Sequence, residues 1–248
     1  MVSKIGTIPG ANTAQRTLRI LKLIGQHHAD GLSARAIQDT LGEERSAVQR
    51  SLGTLLAEGL IQKGPNQRLF HLGMEAVHLG QATLRQSPLV AKYQFALQQI
   101  ARITGDTVFL SVRIGDFSYC VFRAAGAHSV RASPAREGDM WVLGTNAGGF
   151  SLLATLPPDE IQRIYDRYPA AFSRARMGLP AIWQQVDQAR RHGYAVLSDA
   201  VTEGVTSLGL ALGDPKEPFA SAVVAVSRTR MKHGRAQELY QLLRQRLQ

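Results

Sequence analysis

The chain has 248 residues, of which 44% are hydrophobic and 19% charged, and its formal net charge is +10. This length fits one or two domains, and the composition is ordinary for a soluble globular protein. No apolar run approaches the roughly 20 residues that a membrane helix needs, and the N-terminus lacks the apolar core of a secretory signal.

Cysteine usage and charge narrow the class of protein further. Cys120 is the only cysteine, so the chain can form no internal disulfide and no cysteine-based zinc site. We therefore expect a cytoplasmic protein. The basic excess favours a polyanionic partner such as nucleic acid. Residues 1–85 contribute +4 to the net charge and the remainder +6, so charge alone does not locate a binding surface.

The first predicted elements are two helices joined by a turn. Apolar spacing predicts a helix over 13–28, with Thr13 as its N-cap. Ser33 can accept a hydrogen bond from an early amide of a second, short helix over 34–40.

A third helix and a hairpin complete the N-terminal pattern. The helix is predicted over 44–58 and ends at Gly59, a residue type common after helix ends. Two short extended pieces follow within 60–72, on either side of the turn residues Lys63-Gly64-Pro65-Asn66. Three helices and a hairpin in this order are typical of a winged helix-turn-helix.

The third helix has the two faces that a DNA-reading helix needs. Its apolar face is formed by Val48, Leu52, Leu55 and Leu56. Its opposite face carries Ser46, Gln49, Arg50 and Gly53. Arg pairs with guanine, and Gln with adenine, in the major groove. The alternative is the solvated face of an ordinary helix.

Further DNA contacts are expected around this helix. Arg45, on its first turn, could reach a phosphate or a base, and Lys63 and Arg68 on the hairpin suit phosphate contacts. Ser33 could present its amide or hydroxyl to a phosphate, although a plain helix cap explains it as well. Arg16 in the first helix is a further phosphate candidate.

The remainder of the chain predicts a linker helix and a second, mixed α/β domain. A helix over 74–85 is interrupted at Ser87-Pro88, which places the domain boundary between residues 73 and 88. The second domain, 88–248, combines helical and extended patterns. They are a helix over 89–104, strands over 107–113 and 117–123, helical patterns near 147–167 and 180–192, strands over 194–197, 207–212 and 219–227, and a last helix over 235–247.

The N-terminal motifs resemble those of the IclR family of bacterial transcriptional regulators. Residues 14–21 (AQRTLRIL) resemble the start of that family's first helix, and 44–52 (ERSAVQRSL) its recognition helix. The segment 68–73 (RLFHLG) is similar to the end of its wing. In the second domain, 104–112 (TGDTVFLSV) and 193–196 (GYAV) resemble family motifs.

This resemblance implies an α/β (α+β) fold with a winged helix-turn-helix over 1–73, a linker helix over 74–87 and a GAF-like effector-binding domain over 88–248. It also implies a small organic effector, often a carboxylate or an aromatic acid, and dimers or tetramers of the chain on palindromic double-stranded DNA. We expect no cofactor, no metal and no membrane partner.

The match is weakest where the family binds its effector. Phe150 stands where the family has Lys, Ser207 replaces a Cys, and most residues of an acidic run are missing. The remaining candidates are small, polar or aromatic. Backbone amides near two glycines can approach an anion closely, and hydroxyls supply adaptable hydrogen bonds. The alternative is that the serines satisfy strand ends and the glycines form turns. The candidates are Trp141, Gly148, Gly149, Asp199, Ser207 and Ser227.

Enzyme motifs are missing from the sequence. It has no nucleophile elbow, no phosphate-binding loop, no dinucleotide fingerprint and no His pair at metal-ligand spacing. We therefore predict a ligand-responsive transcriptional regulator and not an enzyme. Two alternatives stay open: an enzymatic or ligand-binding α/β domain with an N-terminal oligomerisation element, and an architectural protein that binds DNA without sequence preference.

Overall fold

The computed structural model describes residues 11–28, 30–85, 87–128, 135–214 and 217–248. The chain folds as two compact units, Met1–Ser87 and Pro88–Gln248. The N-terminal unit has one hydrophobic core and the C-terminal unit has two. Within the described ranges, no helix is both long enough and apolar enough to cross a membrane.

The N-terminal unit contains three helices, a small sheet and a fourth helix. The helices are α1 (Asn12–Gln26), α2 (Ala34–Leu41), α3 (Arg45–Ala57) and α4 (Met74–Arg85). The strands are β1 (Leu32–Ser33), β2 (Ile61–Lys63) and β3 (Leu69–Leu72), which pair antiparallel in the order β1-β3-β2. The predicted order of helices and hairpin is confirmed, while the pairing of β1 was not predicted.

Two helix caps test the predictions of this unit. Ser33 caps α2 as expected, since its Oγ accepts a hydrogen bond from the amide of Ala36 at 3.2 Å. The cap expected at Thr13 was wrong: α1 begins one residue earlier, and its N-cap is Ala11, which makes no side-chain hydrogen bond. The carbonyl of Thr13 instead accepts a hydrogen bond from the Thr17 hydroxyl inside the helix.

The C-terminal unit is a six-stranded antiparallel sheet with helices on both faces. The sheet order is β6-β5-β4-β9-β8-β7. Its strands are β4 (Thr107–Ile114), β5 (Phe117–Ala124), β6 (Met140–Val142), β7 (Ala195–Ser198), β8 (Val205–Asp214) and β9 (Glu217–Ser227). Its helices are α5 (Pro88–Thr104), α6 (Ala147–Leu153), α7 (Pro158–Arg167), α8 (Pro169–Arg174), α9 (Leu179–His192) and α10 (Arg235–Leu247).

The central strand β9 explains how two cores form on one sheet. Side chains alternate between the faces of a strand. Ala222, Val224 and Val226 pack in the core with α5 and α10, whereas Val223 and Ala225 pack in the core with α6 to α9. Because both faces are covered, β9 is a nearly continuous apolar run.

Two details of this unit differ from the sequence predictions. The helical pattern near 147–167 is split into α6, which ends at Leu153, and α7, which begins at Pro158. Pro158 occupies the first turn of α7, where a missing amide proton costs nothing. Strand β6 and helix α8 were not predicted. Both are short, with three and six residues, and carry too few positions for a periodic signal.

Candidate DNA-contact surface and effector cavity

Helix α3 buries one face and exposes the other, as the sequence predicted. Val48, Leu52 and Leu55 are at most 2% exposed and pack in the core of the N-terminal unit. The opposite face is exposed to solvent and consists of Arg45, Ser46, Gln49, Arg50 and Gly53. This face has the polar chemistry and the accessibility that contact with base edges requires.

The start of α3 is fixed to the rest of the unit by polar contacts. Gly42 ends α2 in the left-handed conformation, with φ of 64°, and so redirects the chain into α3. Arg16 on α1 forms an ion pair with Glu43, just before α3 begins. Thr17 on α1 hydrogen-bonds the buried hydroxyl of Ser51 at 3.0 Å. Arg16, which the sequence analysis gave as a phosphate contact, is therefore already paired with the carboxylate of Glu43.

The hairpin presents two exposed basic side chains. Its turn is closed by a 2.8 Å hydrogen bond from the Gly64 amide to the Leu69 carbonyl. Lys63 and Arg68 flank the turn and are exposed. In the part of the chain that the structure describes, neither residue has an ion-pair partner, and neither do Arg45 and Arg50 of α3. Four free cations thus lie on α3 and the hairpin, available to phosphates.

The C-terminal unit contains a cavity between its sheet and the start of α6. Its internal volume is about 50 Å³, so it is a compact cavity. All six strands of the sheet, β4 to β9, contribute lining residues. The lining residues are Phe109, Ser111, Cys120, Ala135, Trp141, Asn146, Ala147, Gly148, Leu197, Ala200, Val201, Thr202, Val205, Ser207, Val223 and Ala225.

Three of the six predicted effector residues, Trp141, Gly148 and Ser207, line this cavity. The amide of Gly149 donates to Asn146 Oδ1, which caps α6, so it is already satisfied. The glycines also have a packing role: a Cβ atom on Gly148 would lie 2.7 Å from Val223 Cγ2. Small residues therefore let α6 approach the sheet closely.

Asp199 and Ser227 lie outside the lining. Asp199 adopts a left-handed conformation, with φ of 57°, at the start of the β7–β8 loop. Its carboxylate accepts a hydrogen bond from the Gly204 amide at 2.6 Å and forms a 2.9 Å ion pair with Arg228. It thereby braces the loop that supplies Ala200, Val201 and Thr202 to the cavity wall, which we call the roof loop. The Ser227 hydroxyl lies 3.0 Å from that of Thr229.

Several lining residues were not singled out from the sequence. Phe109 and Ser111 on β4, and Val223 and Ala225 on β9, share the face that carries Ser207. Strand alternation could have grouped each pair, but the sequence does not say which face of a doubly covered sheet holds a cavity. Burial raises the pKa of the cavity-lining Cys120 to about 12, so this thiol stays neutral near pH 7.

One unit exposes the polar face of a helix that follows a helix and a turn, and the other contains a cavity; this is the arrangement expected of a ligand-responsive transcriptional regulator. Residues 81–248 match the family model for the bacterial transcriptional regulator IclR C-terminal region, and residues 13–65 match the IclR helix-turn-helix domain. The chain belongs to the IclR family of bacterial transcriptional regulators, and it is a DNA-binding regulator.

Relatives extend this similarity along most of the chain. The HTH-type transcriptional regulator Rv1719 of Mycobacterium tuberculosis is 28% identical over 93% of this chain and 87% of its own length. The HTH-type transcriptional regulator BhcR of Paracoccus denitrificans is 28% identical over 83% and 73%, respectively. The crystal structure of an IclR-family regulator from Brucella abortus shares the fold with a TM-score of 0.78 at 17% identity, covering 99% of this chain and 94% of that one.

Proposed function

We propose that this regulator reads a palindromic operator with α3 and that a small molecule in the cavity changes its affinity for that operator. The observation that carries the proposal is the exposed polar face of α3, set opposite an apolar face in which Val48, Leu52 and Leu55 are buried. Gln49 and Arg50 would contact base edges, with Ser46 beside them. Arg45, Lys63 and Arg68 would contact phosphates, which fix the register of the protein on DNA.

Self-association is part of this proposal. A single recognition helix contacts only a few base pairs, and two of them reach half-sites about one helical turn apart only when two chains pair. We therefore propose a dimer, or a tetramer built from dimers, acting on DNA in the cytoplasm. The proposed domains are the DNA-binding domain 1–73, the linker helix 74–87 and the effector and oligomerisation domain 88–248.

The effector would act by shifting the population of conformations in which the paired recognition helices match the operator. A ligand shifts such an equilibrium only through a difference in affinity between the two conformations. The cavity suits this role because its roof loop and the α6 start come from separate chain segments, so an occupant contacts elements that are distant in sequence.

The test is binding of purified protein to DNA from around its own gene, compared with random DNA of equal length at near-physiological salt. We expect a preference of about a thousandfold or more, as for specific regulators. The variant Gln49→Ala/Arg50→Ala should lose the preference, whereas Gln94→Ala, an exposed change on α5, should keep it. Equal affinity of the unaltered protein for both DNAs, repeated with cell extract metabolites added, would contradict the proposal.

A further inference from the structure

The walls of the cavity carry no formally charged side chain among the described lining residues. Most of the lining is aliphatic or aromatic, and among its described residues the one ionisable group is the thiol of Cys120. Arg174 lines a neighbouring groove, which shares Ala200 and Val201 with the cavity, and is not among the residues of the cavity lining. Arg228, close to the roof loop, is held by Asp199. A ligand inside the cavity thus meets no cation from these walls.

Neutral hydrogen-bonding groups are present instead. The hydroxyls of Ser111 and Ser207 lie in the lining, from two different strands. Thr202 adds a third, whose Oγ1 is buried and has no hydrogen-bond partner among the described residues. Hydroxyls both donate and accept, so they satisfy an amide, an alcohol or a carbonyl equally well. An unpartnered buried hydroxyl on the wall of a cavity is itself a site at which a ligand atom would gain a hydrogen bond.

From these walls we propose that the effector is a compact, electrically neutral organic molecule, mostly apolar and with one hydrogen-bonding group. The reason is the cost of desolvation: a carboxylate removed from water without a cation to pair with loses much of its solvation energy, whereas a neutral amide or alcohol loses far less and recovers it from one or two hydroxyls. The inference rests on the proposed role of the cavity as the effector site. A neutral effector differs from the carboxylate or aromatic acid that the family resemblance led us to expect.

The experiment compares pairs of compounds of nearly equal shape that differ in charge. Benzamide and benzoate form one pair, and hexanamide and hexanoate the other. Trp141 lines the cavity, and Trp183 is the second of the two tryptophans in the chain. In the full-length Trp183→Phe variant, Trp141 fluorescence therefore reports occupancy directly, and calorimetry on the unaltered protein checks the affinity.

We expect each amide to bind at least about tenfold more tightly than its acid at pH 7.5, a difference of about 1.4 kcal/mol. Equal or tighter binding of the acids would overturn the inference, and so would the failure of both amides to bind up to their solubility limits. These measurements contain no DNA. A loss of operator preference would therefore count against the proposed function alone, without affecting the result on ligand charge.

A variant with an added cation tests the physical reason. Val201 on the roof loop lines the cavity and is 38% exposed, so a longer side chain can be accommodated there. Val201→Arg should move the preference toward the acids, whereas Val201→Met, similar in length and uncharged, should keep the preference for amides. An unchanged preference in a folded Val201→Arg protein would place the bound ligand elsewhere and overturn the inference.

Discussion

The carbonyl oxygen of Ala147 lies directly over Gly209, at a place where any side chain on Gly209 would overlap it. This contact joins the first residue of α6 to the middle of β8. It brings Gly148 of α6 and Ser207 of β8 into the same cavity wall. The cavity therefore depends on a close helix-to-sheet approach that glycine alone permits.

Replacement of Gly209 should accordingly destabilise the C-terminal unit. In Gly209→Ala the new methyl group meets main chain, which cannot rotate away, so we expect a loss of about 1–3 kcal/mol. Thermal unfolding followed by circular dichroism measures it. The matched control is Gly53→Ala on the exposed face of α3, where a Cβ atom meets nothing within 4 Å. That change should raise stability by about 0.5–1 kcal/mol, since alanine is the better helix former. An equal loss in both variants would contradict this explanation.

Two alanine variants can distinguish the proposed base contacts of α3 from the proposed phosphate contacts of the hairpin. Gln49→Ala should cost about 1–3 kcal/mol on the operator and relax the preference at one base pair. Lys63→Ala should weaken binding to all sequences alike and lower the salt dependence of binding, because it removes a phosphate contact. Titrations on operator and random DNA at several salt concentrations measure both effects. If the two variants behave identically, the proposed readout role of Gln49 is wrong.

The ion pair between Asp199 and Arg228 should control the roof loop. Asp199→Ala removes both the ion pair and the acceptor for the Gly204 amide, at a left-handed position that alanine disfavours. We expect weaker benzamide binding and faster reaction of Cys120 with methyl methanethiosulfonate. Asp199→Asn, which keeps a side-chain oxygen and tolerates the conformation, should show a smaller effect, since an exposed ion pair contributes at most about 1 kcal/mol. Unchanged thiol reactivity in Asp199→Ala would show that this residue does not hold the loop.

A buried carboxylate predicts a second, pH-dependent effect. Asp106 is fully buried, and burial raises its pKa, while Arg230 and Arg235 oppose that rise. Arg230 also donates to the Thr104 carbonyl at 3.0 Å. Arg230→Met should destabilise the protein by about 1–3 kcal/mol at pH 7, because it leaves a buried charge with a weaker partner.

The sign of the pH dependence follows from the same charge. Loss of Arg230 raises the folded-state pKa of Asp106 further above its unfolded value, so protonation favours the folded variant. The stability deficit relative to the unaltered protein should therefore shrink between pH 7 and pH 5. Arg244→Met, an exposed change on α10, serves as the control without this trend. A deficit that stays constant over this range would contradict the role assigned to the carboxylate.

The contribution of Cys120 to the free energy of unfolding should decrease at alkaline pH. Its folded-state pKa is about 12, whereas an ordinary thiol titrates near 9, so the unfolded chain loses its proton first as the pH rises. The contribution of this residue to stability is complete below about pH 9 and is lost between pH 9 and 12. Denaturant unfolding of the unaltered protein and of Cys120→Ala at pH 8 and 10 isolates the effect. The difference in free energy of unfolding between the two proteins should be smaller at pH 10 than at pH 8. An equal difference at both pH values would contradict the prediction.

Local sequence signals were sufficient to predict the structure wherever an element is long or a residue interacts with its near neighbours in the chain. The Ser33 cap, the two faces of α3 and the last helix over 235–247 all follow from spacing and from hydrogen bonds within a few residues. The exposed DNA-contact candidates on α3 follow from the same periodicity, because a helix with one buried face must expose the other.

Tertiary structure decided what joins distant segments. The sequence pointed to Gly148 and Ser207, but only the sheet order places Phe109 and Val223 beside them. The folded structure also places Asp199 outside the cavity wall, where its carboxylate accepts a hydrogen bond from the Gly204 amide. Tertiary structure also decided that Arg16 forms an ion pair with Glu43. The physical reason is the separation along the chain between the residues that interact. Helix periodicity and capping depend on neighbours three or four residues apart, whereas the charge, size and closure of a cavity depend on strands and loops that meet only after the whole unit has folded.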